Sequence, residues 1–288
     1  MEAAQPWLQG FSAPLYLQVF EALVREQNTG QSVIELINAQ LAGQCNAYDK
    51  TLRCVPHAEL PAGVAYETYI FETGCIPTRA VTSDSAISNT TYKSAASKNT
   101  HNKGAMHDAC NALMWVQYPQ TKAALNALQA NAIAHQAVGE KASGQRGAAR
   151  DALTLFDESA LIVCTDDVQA AKHDLLKRQW KTLLHQRRGA WGTSIVPHLF
   201  GHGLLQKLQQ PYPAITAQVW CISHAEPSRM TAKEVDTLVA KSVMRSYEAG
   251  ELSPKAMLPL PVLGIPSWWA DNCQASFYDN VQVFRPLS

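Results

Sequence analysis

The sequence lacks several features that would assign it to a common protein class. It contains no Gly-x-Ser-x-Gly, Walker or Gly-x-Gly-x-x-Gly motif, which removes the common serine-hydrolase, P-loop and Rossmann interpretations. It has 24 basic and 24 acidic residues, so no overall charge draws the chain to nucleic acid or anionic lipid. No run approaches the roughly 18 apolar residues of a membrane span, and no secretory leader is visible. We therefore expect a soluble, cytoplasmic protein without a membrane partner.

The number and spacing of the cysteines exclude two further classes of protein. The chain has seven, an odd number, and they are scattered without a Cys-x-x-Cys pair. That distribution argues against both a disulfide framework and a structural zinc knuckle. We expect most of them to be reduced and buried as small hydrophobic side chains.

What is present is enough apolar sequence for a substantial core. The chain has 288 residues, of which 47% are hydrophobic, and we expect a single domain over residues 1–288. Helices outnumber strands and do not alternate with them, so the sequence predicts a mostly helical α+β fold with a small antiparallel sheet. The tail over residues 259–286 is rich in proline and aromatic residues and is expected to wrap the body. The predicted helices cover Leu15–Arg25, a short segment from Ser32, 105–117, 120–136, 167–186, 198–209 and 231–249, and the predicted strands cover 151–158, 161–165 and 215–222.

Two local patterns are ambiguous or unusual. The apolar run Val64–Phe71 fits either a strand or a helix. Residues 82–104 are rich in Ser, Thr, Asn and Lys and carry almost no large apolar side chains. Such a segment cannot bury enough surface to offset its ordering entropy, so we predict a mobile polar insertion. A flexible lid over a site is the alternative.

The first candidate site lies on the predicted helix over 105–117. His107 and Asn111 are four residues apart, and Asp108 and Asn111 are three apart, so the three side chains can converge on one volume. His107 would then be a base or a metal ligand that Asp108 orients. The alternative is that Asp108 lies near the start of the helix and His107 is solvated.

A second set of candidates surrounds the predicted hairpin. Asp151 and Asp157 are six residues apart, which on an extended strand places both carboxylates on one face, where they could bind a metal or act as acid and base. Arg79 and Arg150 would hold an anionic group, or would pair with these carboxylates. The alternative for both aspartates is a turn position at a strand end.

Two histidines near residue 200 have the spacing of metal ligands on a helix. His198 and His202 are four residues apart, but the glutamate of a His-Glu-x-x-His zinc motif is missing between them. His202 stands between Gly201 and Gly203, so the alternative is a close approach to a ligand or to backbone, because neither neighbour has a side chain.

The predicted helix over 167–188 is basic. It offers a phosphate-binding surface, although a solvated charged face is the more common explanation of such a pattern. Its cations are Lys172, Lys177, Arg178, Lys181, Arg187 and Arg188.

Several segments in a fixed order resemble one family. They run from about residue 67 to 286 and comprise 72–79 (ETGCIPTR), 107–113 (HDACNAL), 119–126 (PQTKAALN), 146–158, Gly201-His202 with Pro211-Tyr212, and the ending from Pro259 to Pro286. The chain resembles the bacterial domain-of-unknown-function family number 3025. It departs from that pattern in residues 80–104, and at Gly203 and Gln206, where an alanine and an acidic residue are expected. The resemblance implies a single unit and no particular activity.

These patterns support two functional hypotheses. The first is a hydrolase-type enzyme, with or without a divalent metal, that acts on a polar or phosphorylated small molecule or nucleotide. In it His107, Asp108 and Asp157 are catalytic, and Arg79, Asn111, Arg150, Asp151 and His202 bind. The alternative is a non-catalytic module that binds nucleic acid or protein. A third hypothesis is that the polar clusters form a buried network in which every group is hydrogen-bonded, and that this network fixes the fold.

Overall fold

The computed structural model describes residues 5–9, 11, 13–25, 33–79, 99–137 and 144–287. The chain divides into two compact units. Unit 1 comprises the described residues of Met1–Gly10 and Ala142–Ser288, and unit 2 those of Phe11–Lys141. The mostly helical α+β class is confirmed. The prediction of one domain over residues 1–288 stays a prediction.

Unit 2 is mainly helical. Its elements are α1 (Ala13–Arg25), α2 (Val33–Leu41), β1 (Arg53–Pro56), α3 (Tyr66–Thr73), β2 (Cys75–Thr78), α4 (Asn99–Gln117) and α5 (Pro119–Ala137). The two strands pair in parallel, with Arg53 opposite Cys75. The ambiguous run Val64–Phe71 is therefore largely helical. Its helix ends at Gly74, whose φ of 75° lies in the left-handed region.

Unit 1 is built on a mixed sheet. Its elements are α6 (Gly144–Ser159), β3 (Ala160–Thr165), α7 (Val168–Leu176), β4 (Ile195–Leu199), α8 (His202–Lys207), β5 (Thr216–Ser223), α9 (Ala232–Glu248) and β6 (Leu258–Pro261). The strand order is β4-β3-β5-β6. β3 and β5 are parallel and the two outer pairs are antiparallel, so the sheet is mixed rather than purely antiparallel.

The core of unit 1 lies around the central strand and α6. Every residue of β3 is buried, as expected for a continuous apolar strand covered on both faces. Phe156 of α6 meets Phe200 and Trp220 edge to face, with ring centroids 5.1 Å and 5.5 Å apart. Since full burial of one such ring contributes about 2–3 kcal/mol, this aromatic group firmly anchors the end of α6.

Helix signals in the sequence located several elements correctly. Pro119 occupies the first position of α5, where its missing N–H costs nothing. Thr231 caps α9, since its hydroxyl accepts from the Glu234 N–H while the Glu234 carboxylate accepts from the Thr231 N–H. The strand expected at 215–222 is β5.

The predicted hairpin over 151–165 is wrong. Residues 144–159 form α6, and the strand β3 follows it directly at Ala160. The apolar residues of this stretch fit both periods, and burial of Ala152, Leu153 and Phe156 follows the helical one. Asp151 and Asp157 therefore do not share the face of a strand. On a helix, six residues separate their directions by about 120°.

Two other predicted helices are also wrong in part. His198 lies in β4, so it shares no helix with His202, and only 202–207 of the predicted 198–209 segment form α8. The basic helix ends at Leu176, and Arg178 then takes a φ of 50° before a π-helical segment at Lys181–Gln186. The cations of 167–188 therefore do not form one continuous helical face.

The tail after β6 is made of short turns, as expected, and it is tied to the segment that follows α7. The Trp180 Nε1–H donates to the Arg285 carbonyl, and the Tyr278 hydroxyl contacts the carbonyls of Gly264 and Asn272. The Asn272 side chain donates to the carbonyls of Leu263 and Ile265. These bonds make the tail part of the core of unit 1.

Two predictions concern the edges of the described structure. Residues 82–98 of the predicted polar insertion lie outside the described residues, and 99–104 form the first turns of α4. Within the described part of the chain, no helix is long and apolar enough to cross a membrane.

Candidate functional site

The register of two strands creates the first polar cluster, which lies in unit 1. β4 runs antiparallel to β3, with Leu199 opposite Leu161, so the chain that leaves β4 returns to the start of β3. There the Gly201 N–H donates to the Ala160 carbonyl at 2.8 Å. The beginning of α8 is thereby placed against the last turn of α6, although the two lie far apart in sequence.

The two glycines of Gly201-His202-Gly203 make this approach sterically feasible. A Cβ at Gly201 would lie 2.6 Å from the Glu158 carbonyl oxygen and 2.7 Å from the Ala160 nitrogen. A Cβ at Gly203 would overlap the Glu158 Oε2 atom. The expectation of a close approach to backbone at this motif is met, and it explains why Gly203 stands where the resemblance suggests alanine.

His202 is held between two carboxylates at this junction. Its Nε2 atom is 3.2 Å from Glu158 Oε1, and its Nδ1 atom is 3.8 Å from Asp157 Oδ2. The second distance is longer than a hydrogen bond, so Asp157 acts on the imidazole mainly through its charge. The side chains of His202 and Asp157 are 6% and 15% exposed, whereas that of Glu158 is 40% exposed. The cluster thus has a buried imidazole and an accessible carboxylate.

The second cluster lies in unit 2 and joins Arg79 to Asp108. The Arg79 backbone N–H donates to Asp108 Oδ2 at 2.9 Å, and its guanidinium donates to both carboxylate oxygens at 3.1 Å and 3.2 Å. A further guanidinium nitrogen lies 2.9 Å from His57 Nε2. Because arginine only donates, Nε2 of His57 is the acceptor in this contact.

Burial dominates the electrostatics of this second cluster. Desolvation raises the pKa of the Asp108 carboxyl above its usual range, while the Arg79 backbone N–H and guanidinium oppose that rise. Burial also raises the pKa of the nearby Cys54 thiol to about 12, so this thiol is not a reactive nucleophile. We therefore interpret Asp108 as a structural partner of Arg79 rather than as a catalytic acid.

Asn111 belongs to a third polar group in unit 2. Its Oδ1 atom accepts from the buried Lys122 ammonium at 2.7 Å, and its Nδ2 donates to the Tyr66 hydroxyl at 2.9 Å. The Tyr66 hydroxyl lies 3.3 Å from the Pro77 carbonyl. This chain of bonds links three helices to β2 and is an example of the buried, satisfied network that the sequence allowed as an alternative.

The structure thus brings some of the predicted residues together and leaves others apart. Arg79 contacts Asp108 within unit 2, and Asp157 contacts His202 within unit 1. Arg150 and Asp151 are exposed on α6, and their binding roles stay predictions. His107 is partly buried on α4, and its role as base or ligand stays a prediction.

Glu158 is the important residue that sequence reasoning missed. The hairpin interpretation directed its side chain away from Asp157, whereas consecutive residues on a helix are only about 100° apart. The signal was present in Ala152, Leu153 and Phe156, whose spacing of one, three and four residues is helical. A helical interpretation of this stretch would have placed both carboxylates in the last turn of α6.

Most cations of the basic segment over 167–188 form hydrogen bonds or ion pairs within unit 1. Arg178 and Arg188 donate to the carbonyls of Pro286 and Asn272, Lys181 pairs with Asp279, and Arg187 pairs with Asp174. Four of its six cations therefore have partners within unit 1, three of them in the tail. Nucleic-acid binding by this segment stays a prediction. Its exposed cations are Lys172, Lys177 and Lys181, the last of which pairs with Asp279.

His198 gives a pH-dependent prediction. Burial lowers its pKa from 6.5 to about 4, and its Nε2 atom has no hydrogen-bond partner among the described residues. Between pH 6.5 and about 4, His198 is therefore protonated in the unfolded chain and neutral in the folded chain. The free energy of unfolding should fall as the pH drops from 6.5 to about 4, by up to ~3 kcal/mol.

Urea denaturation at several pH values measures this effect. The His198→Gln variant should lose that part of the acid sensitivity and keep the remainder. An identical pH dependence in the variant and the wild type would show that His198 does not carry it.

No curated protein and no solved structure matches the chain. A family model described as protein of unknown function (DUF3025) matches residues 81–288, which covers all of the unit 1 cluster as well as Asp108 and Asn111. Because that match spans well over half of the sequence, the chain belongs to this family.

Proposed function

We propose that the protein is a hydrolase-type enzyme that acts on a polar or phosphorylated small molecule, with its centre at Asp157, Glu158 and His202. The observation that carries this proposal is the imidazole of His202, buried between two carboxylates, one of which is accessible. Hydrolysis needs a group that draws a proton from water beside an open face. This cluster has that combination of groups.

Each member of the cluster has a distinct part. In the form of the ring with its proton on Nδ1, beside the charge of Asp157, His202 would present its Nε2 lone pair as the base. A water molecule at the open side of the cluster, within hydrogen-bond distance of both Nε2 and the Glu158 carboxylate, would be polarised by both groups. The exposed fraction of Glu158 leaves that position open to solvent and substrate.

The surface of α6 supports an anionic substrate. Arg150 and Asp157 are seven residues apart, so they share a face of the helix about 10 Å from one another along its axis. A guanidinium at that distance suits the far end of a small phosphorylated molecule, whose bond to be cleaved would lie at His202.

Hydrolysis assays test the proposal. The wild-type protein should hydrolyse p-nitrophenyl phosphate, bis(p-nitrophenyl) phosphate or a nucleotide, with and without added divalent metal. Glu158→Gln should lower kcat/KM by about a hundredfold, the usual contribution of a group that assists proton transfer. Glu248→Gln is the matched control, because Glu248 also lies in the last turn of a unit 1 helix and is exposed.

Two outcomes of these assays would contradict the proposal. Activity that Glu158→Gln leaves at the level of Glu248→Gln would exclude this centre. A wild-type protein that turns over none of these substrates in any metal would count against a hydrolase that acts on phosphorylated molecules.

A further inference from the structure

The unit 1 cluster has the geometry of a metal-binding pair. We infer that His202 Nε2 and the Glu158 carboxylate bind a divalent transition-metal ion, with Asp157 as the residue that positions the imidazole. This inference rests on the same cluster as the proposed function and states what activates the water there. It is tested by metal binding, which does not require turnover.

The spacing of the two ligand atoms fits a shared ion. Metal bonds from imidazole nitrogen and carboxylate oxygen are about 2.0–2.2 Å long. Two such bonds at an angle of about 90–110° place their donor atoms about 2.9–3.5 Å apart. The observed separation of His202 Nε2 and Glu158 Oε1 is 3.2 Å, inside that interval.

The protonation pattern of the imidazole also fits. Two lone pairs that face one another need a positive charge between them, either a proton or a metal ion. With an ion bound at Nε2, the imidazole would carry its proton on Nδ1, where the Asp157 carboxylate lies 3.8 Å away. A carboxylate behind a ligating imidazole is a common arrangement in metal sites.

The donor set indicates which metals suit the pair. An imidazole nitrogen with a carboxylate oxygen favours zinc, manganese, iron, cobalt or nickel over calcium and magnesium, which prefer oxygen alone. The Glu158 side chain is 40% exposed, so remaining coordination positions can be filled by water or substrate. An open position is the mark of a catalytic rather than a structural metal site.

Gly203 provides a structural control on the inference. An added methyl group there would meet the Glu158 Oε2 atom, which is the far end of a flexible side chain. Gly203→Ala should therefore displace the carboxylate from His202 and weaken metal binding, without removing any donor atom from the chain.

Cobalt binding to protein stripped with a chelator measures the affinity. The wild type should bind one equivalent of Co²⁺, as followed by visible absorption, and Zn²⁺ should displace it in calorimetry. Glu158→Gln and His202→Asn should each weaken binding at least tenfold, and Asp157→Asn about tenfold. Glu248→Gln should bind like the wild type. Since the chain has seven cysteines, absence of a thiolate-to-cobalt charge-transfer band distinguishes this site from thiol binding.

The result separates the two proposals. Metal binding that depends on these residues without hydrolysis would support the ion site and overturn the enzyme. Hydrolysis by a protein that binds none of the metals would support the enzyme and overturn the ion site, leaving a proton between Nε2 and Glu158. Stoichiometric binding that all the variants retain would place the metal elsewhere and would also overturn the inference.

Discussion

Replacing Gly201 with alanine is expected to lower the free energy of unfolding by about 3 kcal/mol or more. The backbone at Gly201 has a φ of −59°, which any residue adopts, so the effect is purely steric. The new Cβ would lie 2.6 Å from both the Glu158 oxygen and the Ser159 nitrogen. These are backbone atoms at the junction of α6 and β3, and neither can move without disturbing the packing of Phe156.

Gly203→Ala is the matched comparison, measured by urea denaturation beside the wild type. Its nearest obstruction is a carboxylate oxygen that can rotate away, and the Glu158 carbonyl oxygen lies 3.0 Å from the new Cβ, compared with 2.6 Å at Gly201. Alanine is also about 1 kcal/mol better than glycine inside a helix. We expect a loss of less than about 1 kcal/mol for this variant. A Gly201→Ala protein as stable as Gly203→Ala would contradict the tight approach of α8 to α6.

The second large effect is expected at Arg79. Arg79→Met should destabilise the protein by about 3 kcal/mol, because it removes the guanidinium from the buried Asp108 carboxylate and keeps the bond from the backbone N–H of residue 79. The value lies at the low end for broken buried pairs, since the Arg79 side chain is 40% exposed. Denaturation curves should show the loss shrinking at low pH, where Asp108 becomes neutral.

A double variant distinguishes pairing from packing. Arg79→Met combined with Asp108→Leu removes both charges and should recover most of the lost stability. If Arg79→Met alone costs less than about 1 kcal/mol, the ion pair is not what holds β2 against α4. An activity loss in Arg79→Met without loss of stability would instead restore Arg79 to the binding role first expected.

How far the fold could be predicted depended on the distance over which each signal acts. Capping at Thr231, Pro119 at the start of α5 and the apolar face of α1 are local, and each located its helix. α6 was missed because Gly144 and Gly147 suggested a loop and because its short apolar run fits two periods. Its length, and the burial that decides between those periods, depend on β3 and β5.

Prediction of the candidate site from the sequence was limited in the same way. Asp157 and His202 were both identified as polar residues in unusual settings, but their contact follows from the pairing of β3 with β4, which is not visible locally. The pairing of Arg79 with Asp108 spans 29 residues and was one of two alternatives for that arginine. Residue chemistry was therefore accessible from the sequence, whereas the partners needed the topology.

The order in which the chain is synthesised gives the C-terminal tail a further consequence. Unit 2 is one continuous stretch, whereas unit 1 combines residues near the start of the chain with everything after Ala142. Trp7 meets Trp268 edge to face at 6.1 Å, and Trp180 donates to the carbonyl of Arg285. Until residues 258–286 have been synthesised, β5 cannot pair with β6 and the Trp180 indole cannot donate to the Arg285 carbonyl. A nascent chain can therefore complete unit 2 before unit 1, because Trp7 near the start of unit 1 packs against Trp268 near its end.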